Sequence, residues 1–254
     1  MMLRSIYSLQ GYTVQGTDDQ VGTVYEFYFD DAAWTIRYLV VDTGGWFSGR
    51  RVLLSPAAII RTDWEAQTLH VSLTQTQVEN APDIDMDRPI SRQRELEYVR
   101  YYNWPVYWGM SPAGAGAYPA ATSTLGLEQA QTPADAPPGD PHLRRTREVI
   151  GYYIRARDED IGHVDDFIVD DAAWTIRYMV VDTRNWLPGK KVLISPTWIK
   201  EVDWLETRVM LDLSKVQVEE SPPYDPDSLV NREYEGRLYD HYGRSTYWQN
   251  DQQK

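Results

Sequence analysis

Apolar positions along this chain fall in short runs separated by Gly, Asp, Thr and Pro, a spacing that suits strands better than helices. In the first half, the runs 12–14, 21–29, 34–41, 50–54, 59–62 and 68–73 each read as a strand. The four residues Asp30-Asp31-Ala32-Ala33 join the second run to the third, which predicts a hairpin. Setting Phe29 opposite Trp34 places Phe27 opposite Ile36 and Tyr25 opposite Tyr38, with Glu26 facing Arg37 on the other side. The second half pairs Asp166 with Arg177 in the same way. If exposed, each of these ion pairs contributes at most about 1 kcal/mol. The stretch Tyr38-Leu39-Val40-Val41 is apolar on both faces, so something has to cover its outer side. About six strands at these spacings predict a small closed or nearly closed barrel.

The period changes after Leu73. Residues 74–79 suit a single helical turn, and Ser91 is placed to cap a helix whose stripe is Glu95, Leu96, Tyr98, Val99 and Tyr102. The matching helix at 231–242 carries Tyr234, Leu238 and Tyr242 on one side. Each half then ends in an aromatic tail, Tyr107-Trp108 or Tyr247-Trp248. Either the helix or the other half is a candidate to cover the two-sided strand.

These correspondences are not accidental, because 30–43 returns at 170–183 with thirteen of fourteen residues identical. The offset of 140 also pairs Gly22 with Gly162, Trp46 with Trp186 and Ser55-Pro56 with Ser195-Pro196. Two copies of one domain follow, spanning 1–110 and 143–254. Between them, 111–142 has the Ala, Pro, Gly, Thr and Ser content of a linker, with a flexible reach of about 30 Å. The copies are expected to pack as an intramolecular pseudo-dimer with approximate two-fold symmetry.

Composition narrows the function. A net charge of −13 argues against nucleic acid as a partner, since that binding neutralises phosphates with Lys and Arg. Without cysteine there is no disulfide, thiolate metal site or Cys nucleophile, which fits a reducing compartment. No run of about 18 apolar residues occurs, and Met1-Met2-Leu3-Arg4-Ser5 is not a signal-peptide start. A soluble, cytoplasmic protein is expected, with peripheral membrane association as the open alternative.

Candidate chemistry is sparse. Asp158, Asp160 and Asp165 lie in an acidic stretch with His163 and Asp166 that offers oxygen ligands to a hard cation; a solvated turn is the preferred alternative, and no metal is expected. The histidines His70, His142, His163 and His241 align with Met210, Met2, Thr23 and Tyr101, so the repeat preserves no histidine site and no catalytic residue is assigned. Trp46 with Arg50 and Arg51, and Trp186 with Lys190 and Lys191, are partner-binding candidates, because Trp and Arg are frequent interface anchors. The alternative is that each Trp lies on its own barrel while the basic residues snorkel outward.

The residues Trp34 to Thr43, then Trp46, Gly49-Arg50-Arg51-Val52-Leu53-Leu54 and Ser55-Pro56, resemble a PRC-barrel domain, and the second copy resembles it equally. The resemblance covers roughly residues 3–73 and 143–213. It is nearest to the cytoplasmic domain of the photosynthetic reaction-centre H subunit. The carboxy-terminal domain of ribosome maturation factors of the RimM type is a further relative. The resemblance implies a mainly β fold, two tandem PRC-type barrels each with a short helical aromatic-rich tail. It also implies an adaptor rather than a catalyst. The expected role is a non-enzymatic protein-interaction or assembly module with a protein partner and no cofactor. The alternatives are a regulator associated with a photosynthetic reaction centre or other membrane electron-transfer complex, and a metal-binding protein or enzyme using the acidic cluster.

Overall fold

The second and third runs do form a hairpin, and the other strands add to its two sides. The computed structural model describes residues 2–44, 50–86, 90, 92–107, 142–183 and 190–250. Val, Tyr and Phe fill β3 (Gln20–Asp30), which pairs antiparallel with β4 (Thr35–Asp42). β4 pairs with β5 (Arg51–Leu54), and β3 pairs on its other side with β2 (Thr13–Gln15). β2 runs parallel to β7 (Thr68–Val71), which pairs with β6 (Ile59–Asp63). The second copy repeats this order through β12 (Lys191–Ile194), β11 (Ile176–Asp182), β10 (Asp160–Asp170), β9 (Tyr153–Arg155), β14 (Arg208–Leu211) and β13 (Ile199–Asp203).

The fold is therefore mainly β, as the patterning predicted, but among the described residues the ladder of each copy ends at β5 and β6, or β12 and β13, without closing. The Ser-Pro pair separates these ends. Ser55 accepts the Ala57 N–H at 3.2 Å and caps a short 3-10 turn at Pro56–Ala58, which takes the chain out of β5 before β6 begins. Ser195 does the same for Pro196–Trp198.

Each sheet has a seventh strand, and neither was expected. β1 (Leu3–Ser5) pairs with β10, and β8 (Leu143–Arg145) pairs with β3. The registers correspond, with Leu3 facing Asp170 and Leu143 facing Asp30. The compact units consequently cut across the repeats. The second-copy unit is Met1–Tyr7, Glu148–Ala172 and Ile176–Lys254, and the first-copy unit is Ser8–Arg147 with Ala173–Thr175. The expected spans 1–110 and 143–254 thus each give up their leading segment. Of the expected linker 111–142, only His142 is among the described residues.

Both faces of β4 are buried, as its sequence required. The helix, one of the two covers considered, supplies the outer layer: α3 (Arg92–Tyr102) buries Leu96, Tyr98 and Val99. α6 (Arg232–Tyr242) does so in the second copy with Leu238, Tyr239 and Tyr242, and starts where Asn231 accepts the Tyr234 N–H at 2.9 Å. Among the described residues five short helices complete the structure: α1 (Ile6–Leu9), α2 (Gln75–Glu79), α4 (Thr146–Val149), α5 (Lys215–Glu219) and α7 (Tyr247–Asn250). Among the described residues, no helix is long and apolar enough to cross a membrane.

The close approach of β10 to β11 depends on one glycine. Gly162 has φ of +141°, and a Cβ there would collide with the Asp182 carbonyl. Gly151, at φ of +92°, has open space around it. Gly151→Ala should therefore cost about 1 to 2 kcal/mol from backbone strain alone. Gly162→Ala should cost clearly more, because a backbone carbonyl cannot swing aside, and urea denaturation of the two variants will compare them.

Candidate functional site

Two extra residues decide which side chains meet on the hairpin. Tyr28 faces Tyr38 and Phe29 faces Ile36, which leaves Arg37 as a bulge residue on β4. Toward the other end, Val24 faces Val41 and Glu26 faces Val40, which leaves Tyr25 extra on β3. The expected pairing of Glu26 with Arg37 is therefore corrected. Arg37 turns to Asp30, 3.2 Å from its Oδ2. In the second copy, Arg177 is the bulge residue and pairs with Asp170 at 3.0 Å rather than with Asp166. Plain alternation leaves no place for an extra residue, so the spacing pointed to the wrong carboxylate in both copies. The same aspartates also hold the hairpin tip, since Asp30 Oδ1 accepts the Ala32 N–H at 2.9 Å and Asp170 Oδ1 the Ala172 N–H at 3.0 Å.

The bulged arginine leads to a cluster that the sequence reading did not single out. The Arg37 guanidinium sits over the Tyr107 ring, 4.1 Å from its centre. The Tyr107 hydroxyl donates to Glu95 Oε1 at 2.7 Å, and the Tyr38 hydroxyl donates to the same oxygen at 2.8 Å. In the second copy Arg177 lies 4.2 Å over Tyr247, and Tyr247 and Tyr178 donate to Glu235 Oε1 at 2.9 and 2.7 Å. Arg232 adds an ion pair to Glu235 at 3.0 Å. Both glutamates are buried. Burial, with Tyr239 and Glu235 nearby, pushes the Tyr178 hydroxyl well above its ordinary range, so it stays a donor. The arrangement clamps helix and aromatic tail onto the sheet. The available signal was that Tyr38, Glu95 and Tyr107 all recur at the offset of 140.

The basic pairs are engaged within the fold. Arg50 Nη1 and Nη2 donate to the Glu79 and Ala81 carbonyls at 2.7 and 2.8 Å, at the end of α2. Lys190 Nζ donates to the Glu219 carbonyl at the end of α5, and its partial burial pushes the amine down. Arg51 lies 3.7 Å over the ring of the bulge residue Tyr25, which Arg147 also approaches at 4.2 Å. At the aligned positions Lys191 pairs with Asp165 at 2.6 Å. Thr43 and Thr183 donate through Oγ1 to the Arg50 and Lys190 carbonyls at 2.9 and 2.7 Å. Trp46 and Trp186 lie outside the described residues.

The acidic stretch is divided among separate basic and backbone partners. Asp158 Oδ1 accepts the Lys215 N–H at 2.9 Å, Glu159 pairs with Lys215 Nζ, and Asp160 pairs with Arg155 at 3.1 Å. In the first copy Asp18 likewise accepts the Gln75 N–H at 2.8 Å, which holds its carboxyl below the usual range. Both aspartates thus serve the starts of short helices. The histidines are dispersed: His70 meets Arg61, His142 meets Asp31 and His241 meets the Gln217 carbonyl.

Two tandem seven-stranded sheets, each with a clamped helix, define a duplicated small β domain, and the comparisons give its family. The PRC-barrel domain matches residues 2–66 and 141–218, together more than half of the 254 residues. The chain belongs to the PRC-barrel domain family. It is also 33% identical over 90 residues to an uncharacterized protein of Deinococcus radiodurans, a match that takes up 35% of this chain and 32% of that protein.

Removing Tyr178 or Tyr247 as a donor, with Tyr178→Phe or Tyr247→Phe, should cost about 1 to 2 kcal/mol each. Glu235→Ala takes the shared acceptor from both hydroxyls, while Arg232 keeps its hydrogen bond to Tyr247, and should cost about 2 to 5 kcal/mol, all measured from urea midpoints. Arg50→Ala gives up two carbonyl hydrogen bonds and should cost about 1 to 2 kcal/mol. Arg51→Ala, whose ion pair with Asp42 at 3.8 Å is partly exposed, should stay below about 1 kcal/mol.

Proposed function

We propose that this protein is a non-enzymatic interaction module whose partner is another protein, with the binding surface on the second-copy unit. The observation carrying this reading is that, among the described residues, the second-copy unit holds most of the exposed large apolar side chains, with Ile60 and Tyr101 lying in the other unit. Tyr7, Tyr153 and Leu205 are 71%, 57% and 95% exposed, and the residues aligned with them are Arg147, Thr13 and Glu65. Exposed apolar side chains at positions where the sister copy carries polar ones are liabilities unless something binds them. Family membership favours the same reading, because the resemblance implies adaptors. Trp46 and Trp186 keep their candidacy for this role, but without their basic neighbours, which are engaged internally.

The test uses the repeat as its own guide. Tyr7→Arg, Tyr153→Thr and Leu205→Glu each install the residue of the other copy, and the tagged protein is recovered from its native cell for mass spectrometry. Recovery of a partner should fall at least tenfold with thermal unfolding unchanged. An unchanged set of partners would refute the surface. Turnover of a small substrate that is abolished by changing Asp158, Asp160 or His163 would refute the non-enzymatic reading.

A further inference from the structure

The leading segments of the two halves are bound as ligands are bound. β10 offers β1 a backbone edge in antiparallel register, Leu3 to Asp170, Arg4 to Val169 and Ser5 to Ile168. The Asp171 N–H donates to the Met2 carbonyl at 3.0 Å, so by antiparallel alternation Arg4 and Val169 form the next hydrogen-bonded pair. Carboxylates fix both ends of this segment. Asp171 Oδ1 accepts the Met2 N–H at 2.7 Å, while Asp166 accepts the Ser5 hydroxyl and, at 3.1 Å, the Tyr7 N–H. Leu3 and Ile6 are buried in the second-copy unit.

The first-copy unit holds β8 by the same logic with other side chains. The Asp31 N–H donates to the His142 carbonyl at 2.8 Å, and the Asp31 carboxylate meets His142 at 3.0 Å and Arg144 at 3.1 Å. Leu143 and Thr146 are buried there. The second half also contributes a hairpin tip, in which Trp174 packs on Phe27 and its carbonyl accepts the Ile36 N–H at 2.7 Å. In the repeated Asp-Asp-Ala-Ala motif the first aspartate therefore holds its own hairpin, and the second holds the incoming strand.

We propose that β3 and β10 each carry a strand-acceptor site whose partner is the leading segment of the other half of the chain, so that the two halves stay associated without the covalent linker. Each half donates a strand and receives one, and a single repeat's span lacks the strand that completes its own sheet. The recognised ligand is an extended segment with an apolar first residue, read by main-chain hydrogen bonds and by a carboxylate at the hairpin tip.

A recognition sequence for a site-specific protease, placed within 111–140 of the full chain, tests this. After cleavage the fragments should migrate as one species at the mass of the uncut chain, by native mass spectrometry and gel filtration, down to micromolar concentration. Separation into two fragments would overturn the proposal. A cleaved chain carrying Arg4→Pro and Arg144→Pro, which removes a ladder donor from each segment, should fall apart at a concentration at least tenfold higher than the cleaved wild type. If circular dichroism shows that the uncut proline chain has lost its sheet, Asp31→Ala with Asp171→Ala takes its place and is read the same way. Variants that hold together as tightly as the wild type would assign the association to other contacts and overturn the strand sites.

Discussion

A strand with apolar side chains on both faces needs two covers, and in each copy that constraint leads to the rest of the architecture. Tyr38, Leu39, Val40 and Val41 are all buried, and each large side chain removed from water contributes about 1.5 to 3 kcal/mol. The helix α3 or α6 meets this strand through Tyr38 or Tyr178, whose hydroxyl reaches a helix glutamate. That helix carries a glutamate into the covered layer, where a carboxylate is costly unless it is hydrogen-bonded. Tyr38 or Tyr178 supplies one donor from the strand, and Tyr107 or Tyr247 supplies another from the tail. The tail returns to the sheet because the buried carboxylate needs it there. Arg37 or Arg177, re-aimed by a bulge, then stacks on the returning tyrosine.

Elsewhere the copies solve the same mechanical problem with different groups. The ring of Tyr25 lies between Arg51 and Arg147 where the second copy has an ion pair of Asp165 with Lys191. Arg50 and Lys190 both terminate a short helix, one through two hydrogen bonds and the other through one. Positions that bridge elements thus tolerate exchange of chemistry as long as some bridge remains. Positions inside the clamp do not vary between the copies.

Much of the local structure was legible before the fold. The hairpin, the six strands of each copy, the two longer helices and the Ser-Pro break are all set by neighbours in sequence, while the expected cap Ser91 lies outside the described residues. Period-2 and period-3.6 burial and side-chain capping act over a few residues. The partners of Arg37 and Arg177 were not legible, because bulges shift register by one residue and leave no trace in an alternating pattern. The clamp was half legible. Its tyrosines and glutamates recur between the copies, yet Tyr38, Glu95 and Tyr107 are far apart along the chain, and only packing brings their oxygens together.

The sequence by itself determined two copies of one mainly β domain of the PRC-barrel family, including the two-sided strand, while the choice of the helix as its cover came from the tertiary structure. The strands Leu3–Ser5 and Leu143–Arg145 were not legible, since three residues carry too little pattern to mark a strand. Which sheet each one joins was decided only in the tertiary structure. The two acceptor edges share their hairpin motif, so a leading strand meets nearly the same backbone and the same Asp-Asp tip in its own copy as in the other. Local preference is therefore almost equal for the two pairings. The choice rests on contacts distant in sequence that differ between the edges, such as Ser5 and Tyr7 on Asp166, where the other copy has Glu26, and these exist only once the chain has folded.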